Sequence, residues 1–177
     1  KAKLLDFKNP DKYIGPHIGC KKGYGTNEGI RANAASGGMV TSLLCNLLKH
    51  GDIDGAWVTK TDFVNGELSY KTYVATTEEE IRDASSSVYM TIPLLKHIDV
   101  IKNFNGKVAV VMTPCMLRGL DAILKKDDAL REKVVLKLGL YCSGTHSPKA
   151  TTLSMEKSGI PSEDATRLYY RRGHWRG

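Results

Sequence analysis

Two cysteines that follow β-rich apolar runs are the residues best placed to do chemistry. Val108-Ala109-Val110-Val111-Met112-Thr113 runs into Pro114-Cys115, and Val134 to Tyr141 runs into Cys142-Ser143-Gly144. A helical pattern from Met116 to Lys133 joins them. Strand, crossover helix and strand make a βαβ unit, whose strands run parallel. In open α/β sheets the ligand crevice lies beyond the carboxyl ends of the strands. If the two strands are neighbours, both sulfurs enter that crevice. Such a pair suits a shared iron–sulfur cluster, a redox pair or a thiol beside a flavin.

The local settings of the two thiols differ. Pro114 fits a first helical position, where its missing N–H costs little. Cys115 then stands in the first helical turn, a setting that favours thiolate over thiol, and a thiolate is what ligates iron or attacks an electrophile. Cys142 opens Cys142-Ser143-Gly144-Thr145-His146-Ser147, a small polar stretch suited to a ligand-cradling nest. Phosphatase chemistry would need Arg six residues after the cysteine. Pro148, Thr26, Gly51 and Asp121 occupy that position after Cys142, Cys20, Cys45 and Cys115, so that chemistry is excluded. Cys45 sits beside an apolar helical stripe and is expected in the core. Cys20 lies in a glycine-rich lead-in and receives no role. No C-x-x-C pair occurs, and the histidines show no metal-site spacing.

The elements that must position these residues follow from periodicity. Residues 1–33 read as an irregular lead-in that packs on the domain or reaches towards a ligand. A helix is expected over Ser36–His50, with Met39, Val40, Leu43, Leu44, Leu47 and Leu48 on one face and Gly51 as its stop. Ser36 is the expected N-cap. Ser36-Gly37-Gly38 at that helix start is a natural anion site, although taken alone such a turn is more often a cap with a tight approach to a neighbour. Ile53–Thr61 and Leu68–Ala75 are strands joined by an Asn65-Gly66 hairpin turn. Thr77 to Glu80 forms a capping box for a short helix to about Asp83. Ser85–Tyr89 is a polar loop, Pro93–Asn103 a helix, and Ser147-Pro148 opens a last helix ending near Gly159. The expected architecture is α/β: a mixed, largely parallel sheet flanked by helices, with one β-hairpin, over residues 34–177.

The chain has 177 residues, long enough to bury a core without disulfides. None of its apolar runs reaches the roughly 20 residues of a membrane helix, and no secretory signal opens it. A cytoplasmic, reducing compartment is the expected setting. The first residue is Lys1 and not Met, which is expected of a processed product or a piece of a longer chain. The formal charge is +7 at pH 7, with a basic and aromatic run from Arg167 to Arg176. That run suits cofactor phosphates, an acidic partner or nucleic acid.

In order, Ala35-Ser36-Gly37-Gly38-Met39-Val40-Thr41-Ser42-Leu43-Leu44, Gly51-Asp52-Ile53-Asp54-Gly55, Ser86-Ser87-Val88-Tyr89, Val108 to Cys115, Gly139 to Ser147 and Tyr170-Arg171-Arg172-Gly173-His174-Trp175 resemble the coenzyme F420 hydrogenase/dehydrogenase beta-subunit family. The resemblance covers about Gly15 to the end. It implies an oxidoreductase: an electron-transfer iron–sulfur flavoprotein with FAD and a [4Fe-4S] cluster. Such a subunit moves electrons between coenzyme F420, a deazaflavin, and hydrogenase or dehydrogenase partner subunits. It further implies that Ser36, Gly37, Gly38, Ser86, Ser87 and Tyr89 border FAD, that Thr113 and Pro114 lie near the flavin, and that Cys115 and Cys142 ligate the cluster. Three positions depart from the family pattern. Ser86 and Met112 stand where glycines are usual, and Met116 where Gln is frequent. Full-length relatives continue into a C-x-x-C-type pair beyond the point where this chain stops. Two thiolates cannot satisfy a cubane that wants four. The 177-residue piece is therefore expected to be cluster-free or to hold a labile cluster. Alternatives from other classes are a basic nucleic-acid-binding α/β domain and a cofactor-free thiol redox enzyme using Cys115; nucleic acid is the less expected partner.

Overall fold

Continuous apolar runs at Ala56-Trp57-Val58 and Val108–Met112 let the sheet bury both faces, and helices cover each one. The computed structural model describes residues 16–171. Its strands are β1 (Gly55–Val64), β2 (Glu67–Ala75), β3 (Val108–Met112) and β4 (Val134–Gly139), in the order β2-β1-β3-β4. β1 and β2 are antiparallel, whereas β1–β3 and β3–β4 are parallel. The fold is thus the expected α/β mixed sheet. Its hairpin turns on Asn65 and Gly66, both at positive φ (52° and 76°), as a two-residue type I′ turn requires.

The helices are α1 (Glu28–Asn33), α2 (Met39–Lys49), α3 (Glu78–Asp83), α4 (Asp99–Lys102), α5 (Pro114–Leu124), α6 (Asp128–Lys133) and α7 (Pro148–Lys157). On one face of the sheet, Ile30, Leu44, Cys45 and Ile81 from α1, α2 and α3 pack on Ala56, Val58 and Ala109. On the other face, Ile101, Leu120, Leu124 and Leu130 from α4, α5 and α6 pack on Trp57, Val108, Val110 and Met112. Cys45 is a core residue, as its place on the stripe implied, and burial pushes its thiol above the usual range. A bulge opposite Val108–Ala109 skips Val135, so Val134 faces one layer while Leu136 and Leu138 face the other.

Four local expectations give way. The lead-in contains α1, whose first turn is capped by the Asn27 carboxamide accepting from Ile30 N–H at 3.0 Å. Helix α2 starts at Met39. Its N-cap is Gly38 in the left-handed region (φ 71°), with no side-chain cap, so Ser36 is an exposed bend residue and not the N-cap. The expected helix from Met116 to Lys133 is two helices, because Asp127 takes up a capping position and accepts from Leu130 N–H at 3.0 Å. Pro93–Asn103 divides into a 3-10 turn (Leu94–His97) and α4. The capping box holds: Glu80 N–H donates to Thr77 Oγ1 at 3.2 Å, and the Glu80 carboxylate accepts from Thr76 and Thr77 N–H at 2.8 and 3.2 Å. Those backbone donors, Thr76 first, hold the Glu80 carboxyl below the ordinary range.

Trp57, 2% exposed, ties the hairpin together. Its Nε1–H donates to Thr72 Oγ1 at 2.6 Å, and that hydroxyl donates to the Val58 carbonyl at 3.1 Å. Thr72→Val keeps the shape and orphans the buried indole N–H. The expected loss is about 1–3 kcal/mol in denaturant unfolding, with the denaturant slope unchanged.

Candidate functional site

The parallel ladder of β3 and β4 sets the site. Met112 pairs with Gly139, and Leu140 N–H extends the ladder by donating to the Met112 carbonyl at 2.9 Å. Cys115 lies three residues past Met112, and Cys142 three residues past Gly139. Both strands therefore release a cysteine beyond the same carboxyl edge, and both cysteines are exposed free thiols. Thr113 is half-buried and precedes α5. Pro114, exposed, occupies the first position of α5 and Cys115 the next. Thr113 Oγ1 lies 3.2 Å from Cys115 Sγ, and Cys142 Sγ lies 3.7 Å from the Gly144 carbonyl.

The Ser86–Tyr89 loop reaches the same edge. Met90 forms a parallel bridge to His146: His146 N–H donates to the Tyr89 carbonyl and Thr91 N–H to the His146 carbonyl, each at 3.3 Å. Thr91 and Thr145 hydroxyls meet at 3.1 Å. Tyr89 is therefore stitched to the loop that carries Cys142. Its ring meets that of Tyr170 edge-on at 5.2 Å, and Tyr170 hydrogen-bonds Thr151 of α7 at 2.6 Å. Ser86 and Ser87 are half-buried, with Ser86 Oγ donating to the Ser87 carbonyl at 3.3 Å. Met112 is buried in the core, so its side chain does not crowd the crevice.

Ser36, Gly37 and Gly38 behave differently. Gly25 N–H donates to the Gly37 carbonyl at 2.6 Å, and a Cβ on Gly37 would stand 3.2 Å from the Gly23 carbonyl oxygen. A Cβ on Gly38 would stand 3.2 Å from Ile30. The glycines serve a close approach between the start of α2, the lead-in and α1, which is the packing alternative stated for them.

The main feature that spacing along the chain did not reveal is an ion-pair network. Asp83, at the end of α3, binds Lys60 of β1 at 2.9 Å and Arg167 at 2.7 Å, and Arg167 also donates to the Asp83 carbonyl. Lys60 reaches Asp62 at 3.3 Å as well. The Lys60 ammonium first, then the Arg167 guanidinium, holds the Asp83 carboxyl below its usual range, against the opposing effect of burial. Asp83 in turn raises the Lys60 ammonium. Arg167 belongs to the basic run, so part of that run is neutralised inside the fold. Arg172, Gly173, His174, Trp175 and Arg176 lie outside the described residues.

Arg167 separates two hollows. A small one holds Lys60, Ser86 and Leu168. A cleft of ≈ 330 Å³ holds Ile30 and Asn33 of α1, Thr41 of α2, Arg82 and Asp83 of α3, Ser85, Arg167 and Tyr169. Ligand pockets usually span about 300–1,000 Å³. The cleft adjoins the serine loop, and its polar walls fit part of a dinucleotide such as FAD. The thiols fit a cubane less well. Two of the four thiolates it needs stand at the sheet edge, and among the described residues no group of three or more His, Cys, Asp or Glu is gathered for a metal. The described residues do not complete a [4Fe-4S] site.

Residues 20–99 match the N-terminal family model of the coenzyme F420 hydrogenase/dehydrogenase beta subunit, and residues 105–176 match the C-terminal family model of the same protein. The chain belongs to that beta-subunit family. An uncharacterized protein of Methanocaldococcus jannaschii is 33% identical over 135 residues, 72% of this chain and 37% of that protein. A chain in the xenon-derivatized F420-reducing [NiFe] hydrogenase complex of Methanosarcina barkeri matches with a TM-score of 0.66 and 27% identity, over 75% of this chain and 47% of that one. The matched region thus spans less than half the length of either relative. Among the described residues no helix is long and apolar enough to cross a membrane.

Asp83→Asn tests the network by its pH dependence. A carboxyl lowered on folding stabilises the fold above its unfolded pKa of about 3.9, and the contribution fades as pH falls through the folded value. For a half-exposed pair the expected loss at pH 7 is about 1 kcal/mol, reduced by salt. Unfolding curves of the two proteins should converge as pH falls below the lowered folded-state value of Asp83.

Proposed function

We propose that this chain is the flavin-binding portion of an electron-transfer subunit, one that passes electrons between coenzyme F420 and a hydrogenase or dehydrogenase partner subunit in the cytoplasm. The observation that carries the proposal is the common sheet edge. Thr113-Pro114-Cys115, the Cys142 loop and Tyr89 are held there by a parallel ladder and a bridge between loops. FAD, when bound, would supply two-electron exchange with the deazaflavin on one side and single-electron exchange on the other.

The chain's own residues supply position. Ser86, Ser87 and Tyr89 would border the isoalloxazine, and Thr113 and Pro114 would floor its edge. Tyr89, buttressed by Tyr170, would keep water from one side. Ser36, Gly37 and Gly38 would act less directly, by fixing the start of α2 against α1 beside the cleft. Cys115 and Cys142 would offer two thiolates towards a cluster whose remaining ligands would have to lie outside the described residues. This reading is favoured over nucleic-acid binding because Arg167, inside the basic run, is engaged by Asp83. It is favoured over a lone-thiol enzyme because Cys115 shares its edge with a second exposed thiol.

Two measurements test this reading. Protein purified without oxygen should show oxidised-flavin absorption that bleaches on adding reduced coenzyme F420. A colourless protein that binds RNA in a salt-sensitive way would instead support the nucleic-acid alternative. After anaerobic reconstitution of the 177-residue chain, iron and acid-labile sulfide should be absent or lost on desalting. A stable stoichiometric cluster would contradict the two-thiolate account.

A further inference from the structure

We propose that the sheet edge carrying Cys115 and Cys142 is a docking surface for an acidic electron-transfer protein, with Tyr141 as its anchor and Arg118 and Lys149 as its charged flanks. The proposal deepens the electron-transfer reading by naming the kind of partner the edge receives, and it rests on that reading.

The first observation is the distribution of charge. The stretches that build this edge run from Ala84 to Ile98, from Val108 to Leu120 and from Val134 to Met155, and none of the chain's 19 acidic residues falls in them. Cations do occur there, as Lys96, Arg118, Lys137 and Lys149. Lys137 is neutralised by Asp121 at 2.6 Å, and Lys96 has Asp99 three residues on, at the start of α4. Arg118 and Lys149 are exposed, and neither enters an ion pair among the described residues. Arg118 lies one helical turn beyond Cys115 on α5. The loop that carries Cys142 runs directly into α7, and Lys149 lies in the first turn of that helix. Each of the two segments that release a thiol therefore also presents an uncompensated positive charge.

The second observation is apolar surface at the same place. Every residue from Gly139 to Ala150 is exposed, with Tyr141 at 99% and Leu140 at 41%. A tyrosine ring left wholly in water contributes no burial to its own fold. Tyr and Arg are enriched among the residues that carry binding energy at protein interfaces, where an apolar centre is ringed by polar groups. Transient electron-transfer encounters use small contact areas, which one aromatic anchor and two flanking cations suit.

These two features together decide between partners. A nucleic-acid strand gains affinity from many phosphate contacts made at once, and two uncompensated cations supply few of them. A protein surface on which carboxylates surround a shallow apolar spot engages Arg118, Lys149 and Tyr141 together. Opposite charge steers such a partner to the edge, so the cations act on association and the ring acts on dissociation.

Biolayer interferometry of the protein against ferredoxin, a small acidic electron carrier, tests the assignment. Basic cytochrome c and a single-stranded DNA oligonucleotide are the contrasting probes. Ferredoxin should bind, and its association rate should fall roughly tenfold between about 20 and about 300 mM salt. Arg118→Glu and Lys149→Glu should each slow association roughly threefold or more with dissociation little changed. Tyr141→Ala should speed dissociation roughly tenfold. All three side chains are exposed, so these changes leave the core intact. Lys49→Glu makes the same charge change at the end of α2, beside the amino end of β1 and so at the opposite end of the sheet, and should leave both rates as they are. An equal effect of Lys49→Glu would reduce the binding to net charge and overturn the proposal. So would no binding of ferredoxin, equal binding of cytochrome c, or tighter binding of the oligonucleotide. The test also separates this proposal from the flavin. Ferredoxin binding to a protein that takes up no flavin leaves the docking surface standing and removes the flavin. Flavin uptake without ferredoxin binding removes the docking surface and leaves the flavin.

Discussion

The pairing of β3 with β4 is the constraint on which the rest of the site depends. Parallel strands need a long crossover, here α5 and α6, and the crossover must carry the chain back to the end of the sheet where β3 began. Once Met112 pairs with Gly139, Thr113-Pro114-Cys115 and Leu140-Tyr141-Cys142 have to leave the sheet at one edge. A one-residue slip is costly because Val108, Val110 and Met112 are buried on one face and Ala109 on the other. The bulge at Val135 absorbs the mismatch between the two strands. It lets Val134 serve one core layer while Leu136 and Leu138 serve the other. Packing therefore fixes the relation between two exposed thiols that make no packing contribution of their own.

Around that edge the fold is held by polar contacts between segments distant in sequence. Asp83 gathers Lys60 and Arg167, and Tyr170 joins Tyr89 to Thr151. These contacts carry residues 165–170 across the cleft without regular secondary structure. Their individual energies are small, about 1 kcal/mol or less at such exposure. The consequence is a division of labour, in which the apolar layers specify the sheet and a few directed polar contacts shape the hollow beside it.

Much of this was legible from residue types and spacing. The α/β class, the hairpin at Asn65-Gly66, the capping box at Thr77 and Glu80, and the core position of Cys45 all follow from local chemistry or periodicity. So does the shared strand edge of Cys115 and Cys142, because a βαβ unit leaves little choice of topology. What escaped was of two kinds. Breaks inside apolar patterns were hidden: Asp127 starts a new helix within a run that otherwise reads as one, and α1 is too short for its period to stand out. Contacts across long separations were also hidden. Asp83 and Arg167 are 84 positions apart, and nothing in either neighbourhood announces the other. The Ser36-Gly37-Gly38 turn shows the limit of motif reading, since the same glycines serve a backbone approach or a phosphate, and here they pack against Gly23, Tyr24 and Ile30.

The central claim is that one rim carries both thiols. Treating the reduced protein with dibromobimane, a short reagent that joins two thiols, and mapping the product by mass spectrometry measures this directly. A fluorescent cross-link between Cys115 and Cys142, lost in Cys115→Ser and in Cys142→Ser, is the result expected here. Single, unjoined labelling of each cysteine would place them apart and remove the basis of the shared site.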